Sequence, residues 1–348
     1  MKGVLRHLVR LLLLAVGIAA LVWLVRAAGW EEIRGLLEKL GWGLGLFLLP
    51  SLGVHLCEAL GWWCSFRERP PVGFFRLLLV RVAGESLNNT LPSAYLGGEP
   101  FKAMLLSRAG GSGMEALASV IVAKTALTVA QVASVLLGVV LALTSRAGGQ
   151  HLGAMAAGSF VCAILGAWAV WGAYVGQREG LGKLLARLIE RTGIGRGFLE
   201  RRREALERLD TALIGFYARR GGRFWLASGW CFLGWLLEGV EVVLFAHLVG
   251  LRLDWVGAMA IGLLFSVPKA AGMLIPGSLG AQEGGATLLF RVYGLGMAPA
   301  MAYALARRAR ELLWVGVGFA LLALLGVSPR RVAEGATSEV LPAAEPVA

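Results

Sequence analysis

The sequence predicts an all-α polytopic membrane protein. Its 348 residues are 57% hydrophobic, and several apolar runs approach or exceed the roughly 20 residues that a helix needs to cross a bilayer. These runs fill most of the chain and leave no room for a sizeable soluble domain. Two apolar regions are interrupted by proline, glycine and charged residues, so we expect about six full spans and two shorter helical hairpins.

Six runs have the length and composition of complete spans. The first follows a basic N-terminus and is long for the apolar part of a signal peptide, so it favours a retained signal-anchor helix. Tryptophans such as Trp62 and Trp225 fall near span ends, as interfacial anchors do. The six runs lie near 8–25, 42–64, 114–144, 152–175, 223–250 and 298–326.

Two polar segments accompany the spans. In "WEEIRGLLEKL", apolar residues from Trp30 to Leu40 recur at helical spacing, which predicts an amphipathic helix lying on the membrane surface. The loop 176–223 carries 12 Lys and Arg against 6 Asp and Glu, an excess that marks the cytoplasmic side. We expect amphipathic helices there against anionic lipids, and no nucleic acid binding, because stacking aromatic residues are nearly absent. The tail 331–348 has a disordered composition.

The first interrupted region, 73–108, predicts two short helices around a break. Phe74 to Asn89 can enter the membrane as a helix, which "NNTLPSAYLGG" then ends, because Pro92 lacks a backbone donor and Gly98 permits unusual dihedrals. A second helix can begin at Glu99, since a carboxylate and the proline that follows it suit a first helical turn.

The second interrupted region, 255–294, has the same outline. A helix over "AIGLLFSVPKAAGML" meets the break "IPGSLGAQ", and a helix resumes at "EGGATLLF". Each region is too short to cross the bilayer twice, so each predicts a re-entrant hairpin. Non-helical backbone at that depth is tolerated only inside protein or beside water.

The two breaks align without a gap at an offset of 184 residues. "LPSAYLGGE" at 91–99 matches "IPGSLGAQE" at 275–283, and the same offset carries Lys124 onto Arg308. We therefore predict repeat one over about 42–144 and repeat two over about 226–328. The alternative is that any leucine-rich chain aligns with itself.

The distribution of basic residues places both termini in the cytoplasm. With the loop 176–223 also inside, the first hairpin enters from the cytoplasmic face and the second from the opposite face. Inverted repeats whose broken helices meet at the bilayer midplane are the architecture of alternating-access transporters.

Four stretches resemble a known family. "ESLNNTLPSAYLGGEPFKAMLL", "ASVIVAKTALTVAQ", "IPGSLGAQEGG" and "ALARRARELLW" look like the membrane domain of lysylphosphatidylglycerol synthases, a flippase-like family, and most like its subgroup associated with hopanoid biosynthesis. The resemblance implies one flippase-like domain over 1–330 in the bacterial inner membrane. It implies lipid translocation between leaflets rather than synthesis, because the soluble aminoacyl-transferase domain has no counterpart here.

Charges inside the membrane are costly and usually face a cavity or a partner. The pairs Arg81–Glu85 and Arg307–Glu311 are each four residues apart and can meet on one helix face. Surplus cations in the last span suit an anionic headgroup near a helix N-terminus. Further charges stand at Glu58, Glu238, Glu241, Lys269 and Arg310. The predicted substrate-binding and transport residues are Arg81, Glu85, Asn88, Asn89, Pro92, Gly98, Glu99, Lys102, Lys124, Pro276, Ser278, Gln282, Glu283, Arg307, Arg308 and Glu311.

Several functional alternatives stay open. Glu99 and Glu283 either cap their helices or carry protons during transport. We expect no catalytic residues, metal or cofactor, but a membrane transferase or a non-transporting subunit of a lipid-synthesis pathway remains an alternative. The substrate is a phospholipid or a hopanoid headgroup, and homo-oligomerisation is open. His55 and His247 stand alone, and we expect them to make packing contacts.

Overall fold

The computed structural model describes residues 15, 16, 18–90, 98–145, 152–192, 196–273 and 275–325, and in these ranges all regular structure is helical. The predicted all-α class is therefore confirmed. The α-helices are α1 (Ile18–Ala28), α2 (Trp30–Leu40), α3 (Leu48–Cys64), α4 (Phe74–Thr90), α5 (Glu99–Arg108), α6 (Gly113–Thr144), α7 (Leu152–Glu179), α8 (Leu181–Thr192), α9 (Arg196–Val249), α10 (Trp255–Leu264), α11 (Ser266–Ala271), α12 (Ala281–Val292) and α13 (Met297–Leu324).

Four helical stretches are long and apolar enough to cross a membrane. They are Trp30–Cys64, Gly113–Thr144, Gly153–Glu179 and Arg202–Val249. The predicted final span is the 28-residue helix α13, which has sufficient length but carries four charged residues within its central turns. The predicted first span lies partly outside the described residues.

The first long stretch is not a single straight helix. Gly41 has a φ of +44°, a conformation that glycine adopts readily, and it ends the amphipathic helix α2. A 3-10 helix over Gly41–Phe47 then leads into α3. The predicted span 42–64 therefore begins with a 3-10 segment. Ile33 and Leu40 of α2 are buried, which agrees with its predicted apolar face.

The basic segment 176–223 is largely helical. It comprises the end of α7, the helix α8 and the first half of the 54-residue helix α9, in which Arg220 leaves helical geometry with a φ of −133°. The carboxylate of Asp210 accepts hydrogen bonds from the backbone N–H of Gly182 at 2.8 Å and of Lys183 at 3.1 Å. These bonds satisfy donors at the N-terminus of α8 and fix it against α9. The tail 331–348 lies outside the described residues.

Helices α6 and α9 form the centre of the bundle. Helix α9 packs along α3, α6 and α10, and α6 packs along α7, α10 and α5. Helix α4 lies against α13, which also contacts α12. Small residues permit close approach: a Cβ added at Gly262 would lie 2.5 Å from the Cα of Gly239, where α10 crosses α9. Such contacts are typical of helix pairs in membranes.

The two interrupted regions contain the short helices that the sequence predicts. Helix α4 has 17 residues, and α5 has 10 and begins at Glu99, as predicted. Residues 91–97 between them are outside the described part of the chain. The second break is a 3-10 turn at Pro276–Ser278, in which Gly277 and Ser278 have positive φ values of 61° and 50°. Whether the regions are re-entrant in a bilayer stays a prediction.

Candidate functional site

Charged side chains from both interrupted regions and from α3, α6, α9 and α13 form ion pairs in the protein interior. We call them the charge network. It contains seven carboxylates and seven cations, namely Glu58, Glu85, Glu99, Glu238, Glu241, Glu283 and Glu311 with Arg81, Lys102, Lys124, Lys269, Arg307, Arg308 and Arg310.

The first cluster of the network joins α4, α5 and α6. The ammonium of Lys102 lies 3.1 Å from the carboxylate of Glu99 and 3.7 Å from that of Glu85. Lys124 approaches Glu99 from α6 at 3.4 Å. The amide of Asn88 donates to Glu99 at 2.9 Å and to Glu85 at 3.2 Å. This amide thus holds the two like-charged carboxylates together between their two lysines.

Asn88 also fixes the start of α5. Its side-chain oxygen accepts a hydrogen bond from the backbone N–H of Gly98 at 2.7 Å, which satisfies one of the donors at that helix end. Predicted residue Asn88 therefore makes internal contacts at both ends of its amide group. Predicted residue Pro92 lies outside the described residues.

Arg81 does not pair with Glu85, so this prediction is wrong. Its guanidinium forms an ion pair with Glu58 on α3 and lies 2.7 Å from the Nδ1 atom of His55. The predicted pairing assumed the spacing of a single helix, whereas the neighbouring helix α3 presents a closer carboxylate. His55 also contacts the ring of Trp314 at 4.3 Å between centroids, so it joins α4 to α13.

The second cluster centres on Arg308 of α13. The guanidinium of Arg308 donates to Glu283 at 2.7 Å, to the backbone carbonyl of Gly277 at 2.6 Å and to Glu311 at 3.1 Å. The other oxygen of Glu283 accepts from the backbone N–H of Gly280 at 2.7 Å, as an N-terminal capping residue does. Arg308 thereby ties the second break and the start of α12 to α13.

The arginines beside Arg308 are fully compensated. Arg307 lies 2.5 Å from Glu238 and 3.6 Å from Glu311, and Arg310 pairs with Glu241. The predicted Arg307–Glu311 pair is therefore present. The predicted surplus of positive charge is wrong, because α9 supplies two buried carboxylates that adjacency in sequence does not reveal.

Two cavities adjoin the charge network. The first, of about 40 Å³, lies between α3, α4, α5 and α6 and is lined by Glu58, Trp62, Arg81, Glu85, Glu99, Lys102, Val120, Ala123, Lys124, Leu127 and Cys231. The second, of about 90 Å³, is lined by Ser51, Val54, His55, Glu58, Arg81, Glu85, Asn89, Glu238, Lys269, Arg310, Glu311 and Trp314. Arg81, Glu58 and Glu85 line both and form the wall between them. At roughly 30 Å³ per water molecule, each holds only a few waters, so the site is closed.

The polar residues of the second break face the protein rather than a cavity. The Ser278 hydroxyl donates to the carbonyl of Lys269 at 3.2 Å, and the Gln282 amide donates to the carbonyl of Gly277 at 3.2 Å. Pro276 begins the 3-10 turn. Among the predicted amides and hydroxyls with a described position, Asn89 is the one that lines a cavity.

Three contributors to the site were not predicted. His55 and Trp314 line the second cavity, and Tyr303 donates a hydrogen bond from its hydroxyl to Glu241 at 3.3 Å. The spacing of His55 and Glu58, three residues apart on α3, is a signal that could have linked His55 to the charges. Within the described ranges, no group of three or more His, Cys, Asp and Glu side chains is arranged to hold a metal ion.

Comparison with known proteins gives one match. A family model described as the lysylphosphatidylglycerol synthase TM region matches residues 9–327. No curated protein and no solved structure matches the chain.

Proposed function

This chain belongs to the lysylphosphatidylglycerol synthase transmembrane family, and we propose that it moves a lipid between the leaflets of the bacterial inner membrane. The match and the apolar helices show a multi-pass membrane protein with a lipid-related family role. The proposal adds an alternating-access mechanism in which two opposed re-entrant hairpins carry a headgroup across the midplane.

The observation that carries the proposal is a pair of equivalent ion pairs. Lys124 meets Glu99 at 3.4 Å, and Arg308 meets Glu283 at 2.7 Å. Both members of the second pair lie 184 residues after their counterparts. In each case, a cation on the long helix after an interrupted region holds the carboxylate at the start of a short helix. A chance self-alignment of leucine-rich sequence gives no reason for matching contacts between charged residues.

The helix contacts support the same symmetry. The offset carries α5 onto α12 and α6 onto α13, and α5 packs on α6 as α12 packs on α13. It also carries α4 onto the region of α10 and α11. Helix α4 contacts α13 of the other half, and α10 contacts α6 of the other half. This exchange is what a pseudo-two-fold axis between two repeats would produce.

The mechanism we propose starts from the closed state that this structure represents. The two cavities are too small for a lipid headgroup, so one hairpin must separate from its partner helix to admit it. The ion pairs between short and long helices are the contacts that such a motion breaks. A polar headgroup that replaces one partner offsets the cost of separating buried charges.

We further propose the surroundings of this site. Both termini lie in the cytoplasm, and α8 with the first half of α9 lies against anionic headgroups. Lys183, Arg187 and Arg191 of α8 stand beside exposed leucines at Leu184 and Leu185, a combination that suits a membrane surface. The substrate is a phospholipid, and a hopanoid with a polyol head is the alternative from the resemblance.

The test is a leaflet assay in proteoliposomes. The purified protein is reconstituted with phospholipid that carries a fluorophore on an acyl chain, and dithionite quenches the label in the outer leaflet. A translocating protein exposes inner-leaflet label to the quencher, whereas empty liposomes keep it protected. A scaffold subunit would leave the label protected, and a transferase would change lipid identity on chromatography without changing sidedness.

Matched variants connect movement to the site. Lys124→Gln and Arg308→Gln each remove a network cation, and we expect both to slow the loss of protected label. Arg34→Gln removes a cation from an exposed ion pair with Glu38 on α2 and should leave the rate unchanged. Equal rates for all three variants would place the transport site elsewhere.

A further inference from the structure

The charge network is balanced within each of its connected sets. Arg81 pairs with Glu58 alone among the network carboxylates within ion-pair distance. The first cluster joins Lys102 and Lys124 to Glu85 and Glu99. The remaining set joins four cations to four carboxylates: Lys269, Arg307, Arg308 and Arg310 with Glu238, Glu241, Glu283 and Glu311. With its groups in their ordinary ionisation states, each set has no net charge.

A balanced site in a membrane constrains the headgroup that it can accept. A headgroup with net charge would leave one charge of the combined site uncompensated, which is expensive where water is scarce. A headgroup with equal positive and negative charges exchanges partners with existing ion pairs and leaves the total at zero. Charge balance therefore disfavours both anionic and cationic headgroups.

The second cavity presents opposite charges from the two halves of the protein. Glu85 belongs to α4, and Lys269 lies on α11 exactly one repeat offset later, 184 residues along the chain. Both line this cavity, and each side chain is 27% exposed, more than the other charged groups that line it. Equivalent positions thus offer a carboxylate on one side and an ammonium on the other.

We propose that the translocated headgroup is zwitterionic, with its phosphate directed to Lys269 and its ammonium directed to Glu85. The proposal rests on the lipid movement proposed above and specifies its substrate class. Glu311 keeps two arginine neighbours when Lys269 turns to the phosphate. Lys102 keeps Glu99 when Glu85 turns to the ammonium. Partner exchange therefore leaves no network charge isolated.

The experiment compares headgroups in the same leaflet assay, with the fluorophore always on an acyl chain so that headgroup charge is preserved. The lipids are phosphatidylethanolamine, phosphatidylglycerol, a trimethylammonium lipid and an uncharged diglucosyl lipid. We expect phosphatidylethanolamine to move at least about tenfold faster than the other three, given the cost of an unpaired charge or an unmatched dipole in such a site. A faster rate for any of the other three overturns the inference while lipid movement stands. Movement of none overturns both proposals.

Charge variants sharpen the test. Glu85→Gln gives the network a net charge of plus one and should shift preference toward phosphatidylglycerol, and Lys269→Gln should shift it toward the cationic lipid. The double variant restores balance and should again reject both charged lipids. Glu38→Gln and Arg34→Gln make the same changes in total charge on exposed α2 and should keep the wild-type preference. Identical preferences in the two single network variants would overturn the inference.

Discussion

The backbone of Gly98 lies directly against the backbone of Gly84. A Cβ added to Gly98 would be 1.9 Å from the carbonyl oxygen of Gly84, a distance that no side chain can occupy. The start of α5 therefore packs on α4 backbone to backbone. The second interrupted region has a similar approach, since a Cβ on Gly285 of α12 would lie 2.2 Å from the Cβ of Pro268 on α11.

We predict that Gly98→Ala and Gly285→Ala both destabilise the protein, each by about 1–3 kcal/mol, because overpacking a close contact forces the helices apart. Gly284→Ala is the matched control. It adjoins Gly285 in the same helix, and its added Cβ would meet no atom within 4 Å. Thermal unfolding in detergent, followed by circular dichroism, measures the three variants. Similar midpoints for Gly284→Ala and Gly285→Ala would show that the α11–α12 contact is not tightly packed.

The two equivalent glutamates should respond differently to glutamine. Glu283 is 1% exposed, receives the guanidinium of Arg308 and caps α12 through Gly280. Its replacement leaves Arg308 facing an amide and should cost about 3 kcal/mol, as breaking a buried ion pair does. Glu99→Gln should cost less, because Lys102 retains Glu85 and the Lys124 side chain is 29% exposed. Unfolding midpoints of the two variants give the comparison, and a larger loss for Glu99→Gln would contradict it.

The sequence predicted the parts of this site that depend on local pattern. The helix start at Glu99, the break at Pro276–Ser278 and the equivalence of Lys124 with Arg308 all follow from proline, glycine and a constant offset. These features need only the chain near the residue or a comparison of the chain with itself.

Partners on different helices could not be predicted in the same way. Arg81 turns from Glu85 on its own helix to Glu58, and Arg310 finds Glu241 at a separation of 69 residues. Spacing identifies candidate pairs on one helix, but a pair between helices depends on how closely and at what angle the helices cross. The neutrality of the network was missed for this reason, since the carboxylates that compensate α13 lie on α9.

Asp210 should control the docking of α8. It is buried, and its carboxylate accepts from two backbone donors at the start of that helix. We predict that Asp210→Ala increases hydrogen exchange throughout α8, with a loss of roughly 1–2 kcal/mol, as for other capping residues. Glu207→Gln is the control, one turn earlier on α9 and exposed in its pair with Arg203. Equal protection of α8 in the two variants would show that apolar packing alone holds it.

The re-entrant arrangement makes a prediction about sidedness. If α4 and α5 form a hairpin, the exposed residues Glu68 and Ser112 before and after it lie on one face of the membrane, in the cytoplasm. Arg252 and Gly296 flank the second interrupted region and should lie together on the opposite face. Single cysteines at these four positions, in a background where exposed Cys162 and the three buried cysteines are replaced by serine, can be labelled with a membrane-impermeant maleimide in intact and in opened cells. We expect Arg252→Cys and Gly296→Cys to be labelled in intact cells, and the other two only after opening. Labelling that divides either pair would mean that the region crosses the bilayer completely, and the two halves would then not face each other from opposite sides.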